Sequence, residues 1–364
     1  MVDLNFLLEA KKPSKQIKDL VETFISPEGV GRRYLFGRNE HSVLLSKLFE
    51  IDGFVDDFAE SGSLWKGKAV FHGDEVPKDA IMVNCSMSVM PVSASKRIDK
   101  LQVFGSFAYH DFLELLPGLV GLPNFIDETC YDFKENIKEW EKLENSLFDD
   151  ESKEVLRSIL KYRLTGDYLY MEQFSFRPKD QYFEDFLNFE LNEIFVDAGG
   201  FDGDTTEIFC DKNPDYDKVF FFEPDITNLK NAKNRLKDYK KIEYIPLGVS
   251  DKHGTLWFNA NNGSASSIGD SGNTEINVTT IDKHIQPKVT FIKMDLEGWE
   301  LKALKGAKRH ILEDHPKMAI AVYHHPSDFW KIFNYIFSLR QDYKVFLRHY
   351  TEGWSETIMY FEPK

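Results

Sequence analysis

From about residue 190 onward, short apolar runs alternate with amphipathic segments. Ile194-Phe-Val, Val219-Phe-Phe-Phe, Val289-Thr-Phe-Ile and Met318-Ala-Ile-Ala-Val-Tyr are nearly continuous in apolar residues. A strand with one face in water alternates, whereas a continuous run suits a central strand covered on both faces. Between these runs, Ile226, Leu229, Ala232, Leu236 and Tyr239 recur at three- and four-residue spacing. Leu301, Leu304, Ala307 and Ile311 do the same, as do Phe329, Phe333, Ile336 and Leu339. That period predicts helices. The second opens after Gly298 and is closed by His315-Pro316, where proline cannot continue it. The pattern as a whole predicts an α/β domain whose parallel sheet is covered by helices on both faces. Two last strands, Val345-Phe-Leu and Thr357-Ile-Met-Tyr-Phe, are separated only by a short turn region, Thr351-Glu-Gly-Trp. A parallel crossover takes a dozen or more residues, so these two must pair antiparallel.

The first half is patterned differently. Tyr34-Leu-Phe-Gly-Arg-Asn-Glu-His-Ser-Val-Leu-Leu, then Gly53-Phe-Val-Asp-Asp, reads as strand, turn, helix, strand; Gly67-Lys-Ala-Val and Ala80-Ile-Met-Val-Asn-Cys-Ser continue it. We expect a degenerate Rossmann-like lobe over 1–100. Only Gly37 remains of a glycine fingerprint, with Asp56 about 20 residues on, the spacing of a ribose-binding acid. A nucleotide-linked or lipid-linked sugar is one expected ligand of this lobe; a scaffold or dimerisation lobe fits the same pattern. Residues 101–180 are expected to form a helical connector, with charge runs such as Phe133-Lys-Glu-Asn-Ile-Lys-Glu-Trp-Glu-Lys-Leu as solvated faces. Residues 181–364 form the third unit.

Composition narrows the function classes. The 364 residues suffice for two domains with real cores. Lys and Arg number 45 against 60 Asp and Glu, a net charge of −15. That balance disfavours nucleic acid and anionic membranes, both of which ask for cationic patches. No apolar stretch approaches the roughly 20 residues of a membrane helix, and Met1-Val-Asp-Leu-Asn-Phe has no signal-peptide pattern. Cys85, Cys130 and Cys210 stand singly. The expectation is a cytoplasmic protein with reduced thiols and no membrane span.

The strand at 194–196 runs into Asp197-Ala-Gly-Gly-Phe-Asp-Gly-Asp-Thr-Thr. Glycines between a strand and a helix let backbone approach a ligand at the sheet's C-terminal edge. The loop is not G-x-G-x-x-G, because position 201 is Phe and position 204 is Asp. Asp202 and Asp204 would repel a pyrophosphate, so the loop better suits a ligand with positive charge, such as S-adenosylmethionine. Phe220-Phe-Phe-Glu223-Pro224 places a carboxylate at the next strand end, where it can accept hydrogen bonds from both ribose hydroxyls. A parallel sheet closed by one antiparallel hairpin is the layout of class I methyltransferases.

With these pieces in order, residues 180–362 resemble the FkbM-type family of S-adenosylmethionine-dependent methyltransferases. The resemblance rests on Gln181-Tyr-Phe, Phe195-Val-Asp-Ala-Gly-Gly-Phe-Asp-Gly-Asp-Thr, Glu223-Pro-Asp, Gly248-Val-Ser-Asp and Thr279-Thr-Ile-Asp. It continues through Ile292-Lys-Met-Asp-Leu-Glu-Gly-Trp-Glu, Leu304-Lys-Gly-Ala, Tyr323-His-His-Pro-Ser-Asp and Arg348-His-Tyr. It implies the fold and the cofactor, and suggests O-methylation of a sugar hydroxyl in glycan or natural-product biosynthesis. The expected partner is therefore a carbohydrate or nucleotide-linked sugar acceptor; a homodimer is compatible with the pattern.

Expected cofactor contacts are Asp197, Gly199, Gly200, Phe201, Asp202, Gly203, Glu223, Pro224, Gly248, Val249, Asp295 and Tyr182. His324, Glu297 and His325 are the expected catalytic residues, since a hydroxyl acceptor needs a base and histidine titrates near neutral pH. Alternation along the strand lets only one of the two histidines face the site, and His324 is preferred. His349 and Arg348, at another strand end, are weaker candidates. Asp295 and Glu297 are also an open alternative as half of a magnesium site, although Asp295 as a turn cap and Glu297 as a helix opener explain them equally. The polar loop Asn261-Asn-Gly-Ser-Ala-Ser-Ser-Ile is expected to close over the acceptor or to be plain surface. Two other function classes compete: a nicotinamide-dependent sugar oxidoreductase using the N-terminal lobe, and a non-catalytic cofactor-binding scaffold.

Overall fold

The computed structural model describes residues 4, 12–27, 31–258, 268–269 and 274–364. The loop expected to close over the acceptor (261–267) and the N-terminal residues read for a signal lie outside them, Leu4 apart. The first sheet holds β1 (Arg33–Phe36), β2 (Gly53–Val55), β3 (Leu64–Trp65), β4 (Lys68–Phe71), β5 (Ile81–Asn84) and β6 (Gly105–Ala108). Their order is β3-β4-β2-β1-β5-β6, parallel apart from the β3–β4 pair. β6 falls inside the stretch expected to be helical connector; four residues are too few to display a period, and only pairing with β5 reveals the strand.

The remaining strands are β7 (Ile194–Ala198), β8 (Lys218–Phe222), β9 (Ile242–Ile245), β10 (Gly248–Val249), β11 (Gly254–Phe258), β12 (Ile268–Gly269), β13 (Thr274–Thr279), β14 (Phe291–Met294), β15 (Lys317–Ala321), β16 (Tyr343–His349) and β17 (Thr357–Pro363). Seven make the large sheet, β16-β17-β15-β14-β7-β8-β9; β10 to β13 make a small one beside it. Only β17 runs against its neighbours in the large sheet. This is the class I methyltransferase arrangement. Strand order reverses at β7, so a crevice opens beyond the C-terminal ends of β7 and β14. Apolar residues on the continuous strand runs explain the burial on both faces: Phe195, Val196, Phe291, Ile292, Ala319 and Ile320 are all inaccessible.

The segment expected as one helix over 301–311 is two, Glu300–Lys305 and Lys308–Glu313. Gly306 separates them. A Cβ there would lie 2.0 Å from the Ser250 carbonyl oxygen, so the break follows from a close backbone approach that the apolar period does not record.

Helices Asn124–Ser146 and Asp150–Thr165 pack on each other and cover the open edge at β16. The Phe148 amide donates to the Val345 carbonyl at 2.8 Å, and the Leu347 amide to Ser152 Oγ at 2.9 Å. Covering an edge strand removes a row of unpaired backbone groups. The first lobe is tied to the β16–β17 turn as well. Glu352 accepts from the Ser93 amide at 2.7 Å and from Ser93 Oγ at 2.6 Å, and its own amide donates to the Val89 carbonyl at 2.9 Å. Among the described residues no helix is long and apolar enough to cross a membrane.

Trp140 packs helix Asn124–Ser146 against helix Asp328–Leu339, which covers the large sheet. It is buried, lies 5.3 Å from the Phe329 ring and donates to Asp132 at 2.9 Å. We expect Trp140→Ala to cost about 3–5 kcal/mol of stability, read from the urea midpoint; an unchanged midpoint would mean that the helices dock without it.

Candidate active site

The β7-to-helix loop is fixed from below before it can hold anything. Register places Lys293 of β14 opposite Asp197 of β7, so both side chains leave the same face. Lys293 Nζ lies 3.1 Å from Asp197 Oδ1 and donates to the Gly199 carbonyl at 2.7 Å, while Thr206 Oγ1 donates to Asp197 Oδ2 at 2.7 Å. Burial alone would lower the Lys293 pKa, but Asp197 and then Asp295 outweigh it and hold the ammonium above its ordinary value. Asp197, expected to touch the cofactor, is instead fully buried beneath the loop with its oxygens turned to Lys293 and Thr206.

The loop glycines are each required by a close approach or a left-handed turn within the protein. Gly199 has φ +81°, and a Cβ there would meet the Asp295 carbonyl oxygen at 2.0 Å. Gly200 faces the Phe221 ring, where a Cβ would lie 2.3 Å away; Gly203, at φ +89°, precedes helix Asp204–Lys212. Asp202 turns from the crevice and pairs with Arg235 at 2.7 Å. Phe201 is half exposed at the cavity, and its amide donates to Glu223 Oε2 at 3.0 Å. Glu223 Oε1 accepts from the Asp225 amide at 2.8 Å. Burial raises the Glu223 pKa, and the two amides oppose that. The Asn228 side chain opposes it too; a carboxylate has about four lone-pair sites, so these three donors leave Glu223 room for one more towards the cavity.

That cavity measures about 980 Å³ and is lined at one end by Phe201, Glu223, Pro224, Ile226, Gly248 and Val249. At the other end stand Gln181, Tyr182, Asp295, Glu297, Tyr323, Thr351, Ser355 and Glu356, with Val89 from the first lobe. Nine non-glycine residues among those described have positive φ, and four of them (Tyr182, Phe201, Glu297 and Glu356) line this cavity. Strained backbone held at one place marks a site that the surrounding fold over-determines.

An acidic group forms the cavity's floor. Tyr182 donates to Asp295 Oδ2 at 2.7 Å. Behind Asp295, His324 Nε2 lies 3.5 Å from both Asp295 Oδ1 and Glu297 Oε2, and Nδ1 lies 3.2 Å from Glu300 Oε1. Burial opposes the His324 cation, but Glu300, Asp295 and Glu297 outweigh it and push its pKa up to about 10. Glu297 is raised to about 7, by burial first and then by Asp295, Glu300 and Glu356.

His324 was expected to be a neutral base on the cavity wall. It is instead buried behind Asp295 and Glu297, off the cavity wall, where three carboxylates converge on its ring and raise its pKa. His325 is turned aside: its ring fills the space over Gly298, where a Cβ would lie 2.5 Å from Nε2. Asp56 is held by Arg38 at 2.6 Å, so the acid that suggested a ribose site in the first lobe already has a partner. Glu300, Tyr323 and Glu356 were missed. Glu300 reads as an ordinary helix-start acid, and nothing in the β16–β17 turn announces that Glu356 returns to the crevice.

The site fits a nucleoside carrying positive charge: a cavity edged by Gly199 and Gly248, the Glu223 carboxylate on its wall, and a floor richer in carboxylates than in cations. Fold and site together define a class I methyltransferase. The methyltransferase FkbM domain matches residues 197–351 of the chain. The crystal structure of methyltransferase FkbM from Methylobacillus flagellatus KT is similar over 96% of this chain and 94% of that chain, at 26% identity and a TM-score of 0.73. The likeness therefore includes the first lobe. An rRNA methylase from Streptococcus thermophilus (15% identity, 55% of this chain, 95% of that chain, TM-score 0.33) overlaps less. So does fibrillarin from Aeropyrum pernix, solved with S-adenosyl-L-methionine (12%, 47%, 67%, 0.30). No curated protein matches the chain. The family implies S-adenosylmethionine as methyl donor.

His349 is structural. It is fully buried against Phe174, bonds Thr357 Oγ1 at 2.9 Å, and burial depresses its pKa to about 3. A base whose native pKa is lowered contributes fully above its unfolded value, near 6.5, and loses that contribution as pH falls towards 3. Stability should drop by up to about 1.4 kcal/mol per pH unit in that window from this residue. His349→Asn should flatten the slope, measured by denaturant titration at stepped pH; an unaltered slope would reject the assignment.

Proposed function

We propose that the protein is an S-adenosylmethionine-dependent O-methyltransferase whose acceptor is a sugar hydroxyl. The observation that carries this reading is the single cavity that joins a ribose-facing carboxylate, Glu223, to an acidic floor lined by polar side chains. Bound S-adenosylmethionine supplies a methyl group on cationic sulfur; the new oxygen–carbon bond forms as carbon–sulfur breaks, leaving a neutral thioether. The chain has three tasks around that displacement. Glu223, with the glycine loop, holds the nucleoside and sets its depth. Tyr182 fixes Asp295, and the excess of carboxylates at Asp295, Glu297 and Glu356 favours positive charge on the donor. Glu297, partly open to the cavity with its pKa near neutrality, takes the acceptor's proton.

Polar groups at the far end support a hydroxyl-rich acceptor. Gln181, Thr351, Ser355 and Glu356 offer donors and acceptors there, beside apolar contacts from Val89, Phe176 and Pro178. Alignment of this kind supplies up to about 7–11 kcal/mol of barrier lowering in favourable cases. The reading extends to the domain plan: a first lobe over 1–100 and a connector over 101–180 that buttress the acceptor side, and a methyltransferase domain over 181–364.

Calorimetry with S-adenosylmethionine and S-adenosylhomocysteine tests the donor site. Both should bind, and Glu223→Ala should weaken them by roughly 10–100-fold, the worth of hydrogen bonds to a charged group, with little change in melting temperature. Equal affinity in the variant contradicts the role. Transfer of labelled methyl to a panel of sugars and nucleotide sugars tests the acceptor class. On any acceptor so found, Glu297→Gln should lower kcat by about 10²–10⁴-fold while leaving the donor's affinity in place; an undiminished kcat moves the proton to another group.

A further inference from the structure

We infer that the floor of this cavity is a divalent-cation site formed by Asp295, Glu300 and His324. The inference rests on the methyltransferase reading only for the purpose of the ion, not for its binding.

One ligand atom from each residue lies within 4.8 Å of the other two. Octahedral ligation at about 2.1 Å places donors about 3.0 Å apart in cis and about 4.2 Å apart in trans. The His324 Nε2–Asp295 Oδ1 separation of 3.5 Å falls in that range; Glu300 Oε1 sits 3.2 Å from the other ring nitrogen, Nδ1, and an ion takes only one nitrogen of the ring. The second observation is independent of charge. His324 has a side chain only 8% exposed, yet neither ring nitrogen makes a hydrogen bond of acceptable geometry. Glu300 is inaccessible, and its Oε2 likewise has no partner; its Oε1 accepts from the Leu296 amide at 2.6 Å, which fixes the carboxylate in place. Buried polar groups are nearly always satisfied. Here Glu300 Oε2 and both His324 ring nitrogens are not, and the carboxylate oxygen and one of those nitrogens are ligand atoms for the same kind of ion.

Two carboxylates and one imidazole nitrogen neutralise a 2+ charge and leave open positions, the pattern of hard to borderline ions such as Mg²⁺ and Mn²⁺. Glu297, 3.5 Å from His324 Nε2, is a neighbouring fourth donor. The free imidazole nitrogen would donate to a carboxylate, which orients the ring. Asp295 and Glu297 line the cavity, so the open positions face the acceptor. A hydroxyl bound there is made more acidic by the ion, and the proton it loses goes to Glu297 or water.

The test uses Mn²⁺ and the full chain, with no methyl donor present. Titrated protein should bind one Mn²⁺ per chain, read as loss of the free-ion electron paramagnetic resonance signal, and Mg²⁺ should compete. Glu300→Gln, which keeps the Leu296 bond, and Asp295→Asn, which keeps the Tyr182 bond, should each weaken Mn²⁺ by about tenfold or more. Circular dichroism and melting temperature confirm that both remain folded; should one unfold, the other decides. Glu223→Ala should bind Mn²⁺ as the unaltered chain does. Absence of Mn²⁺ binding at millimolar concentration, or undiminished binding in both variants, overturns the inference. Donor binding in the presence of a chelator is measured separately, so loss of the cation site leaves the methyltransferase reading standing, and the reverse.

Discussion

Everything at the crevice is hung from one buried ion pair. Lys293 and Asp197 are cross-strand neighbours at the C-terminal ends of β14 and β7, and Lys293 also holds the Gly199 carbonyl. Taking two charges out of water is expensive, and a buried pair is weak evidence for net stability. Its contribution is position. With both charges matched, the glycine loop cannot rise from the sheet, Gly199 is pressed against the Asp295 backbone, and Phe201 presents its amide to Glu223. Losing either partner would leave a charge stranded at 0–4% exposure beneath the site.

Asp295 passes the same constraint to the acceptor end. Its backbone is clamped by Gly199, its carboxylate by Tyr182, and it stands between the donor cradle and the His324 cluster. The strained residues around it follow. Glu297 and Gly298 turn left-handed in succession, at φ +52° and +88°, so that the chain can leave β14 and begin helix Glu300–Lys305 with both Glu297 and Glu300 near His324. The first lobe enters by a different route, gripping Glu352 through Ser93 and Val89 and so fixing the turn from which Glu356 reaches the cavity.

The continuous apolar runs and the closing hairpin were legible because burial on both faces leaves a compositional trace that needs no partner to be read. The position of the glycine loop was legible too, since a backbone pressed against a neighbouring carbonyl or ring tolerates only glycine. β6 and the break at Gly306 were not legible: one is too short for a period, and the other is dictated by a carbonyl some fifty residues away, that of Ser250. Asp197 was read as a ligand contact because loop position reports which strand end a carboxylate occupies, not which way it points.

The sequence by itself determined the sheet, its crevice and the class of chemistry, because strand burial and glycine placement are local requirements. Tertiary structure alone decided the surroundings of the polar groups. His324 is neutral or charged according to how many carboxylates reach it from β14, from the following turn and from the next helix. Those distances are set by packing, and Coulomb interactions depend on them steeply.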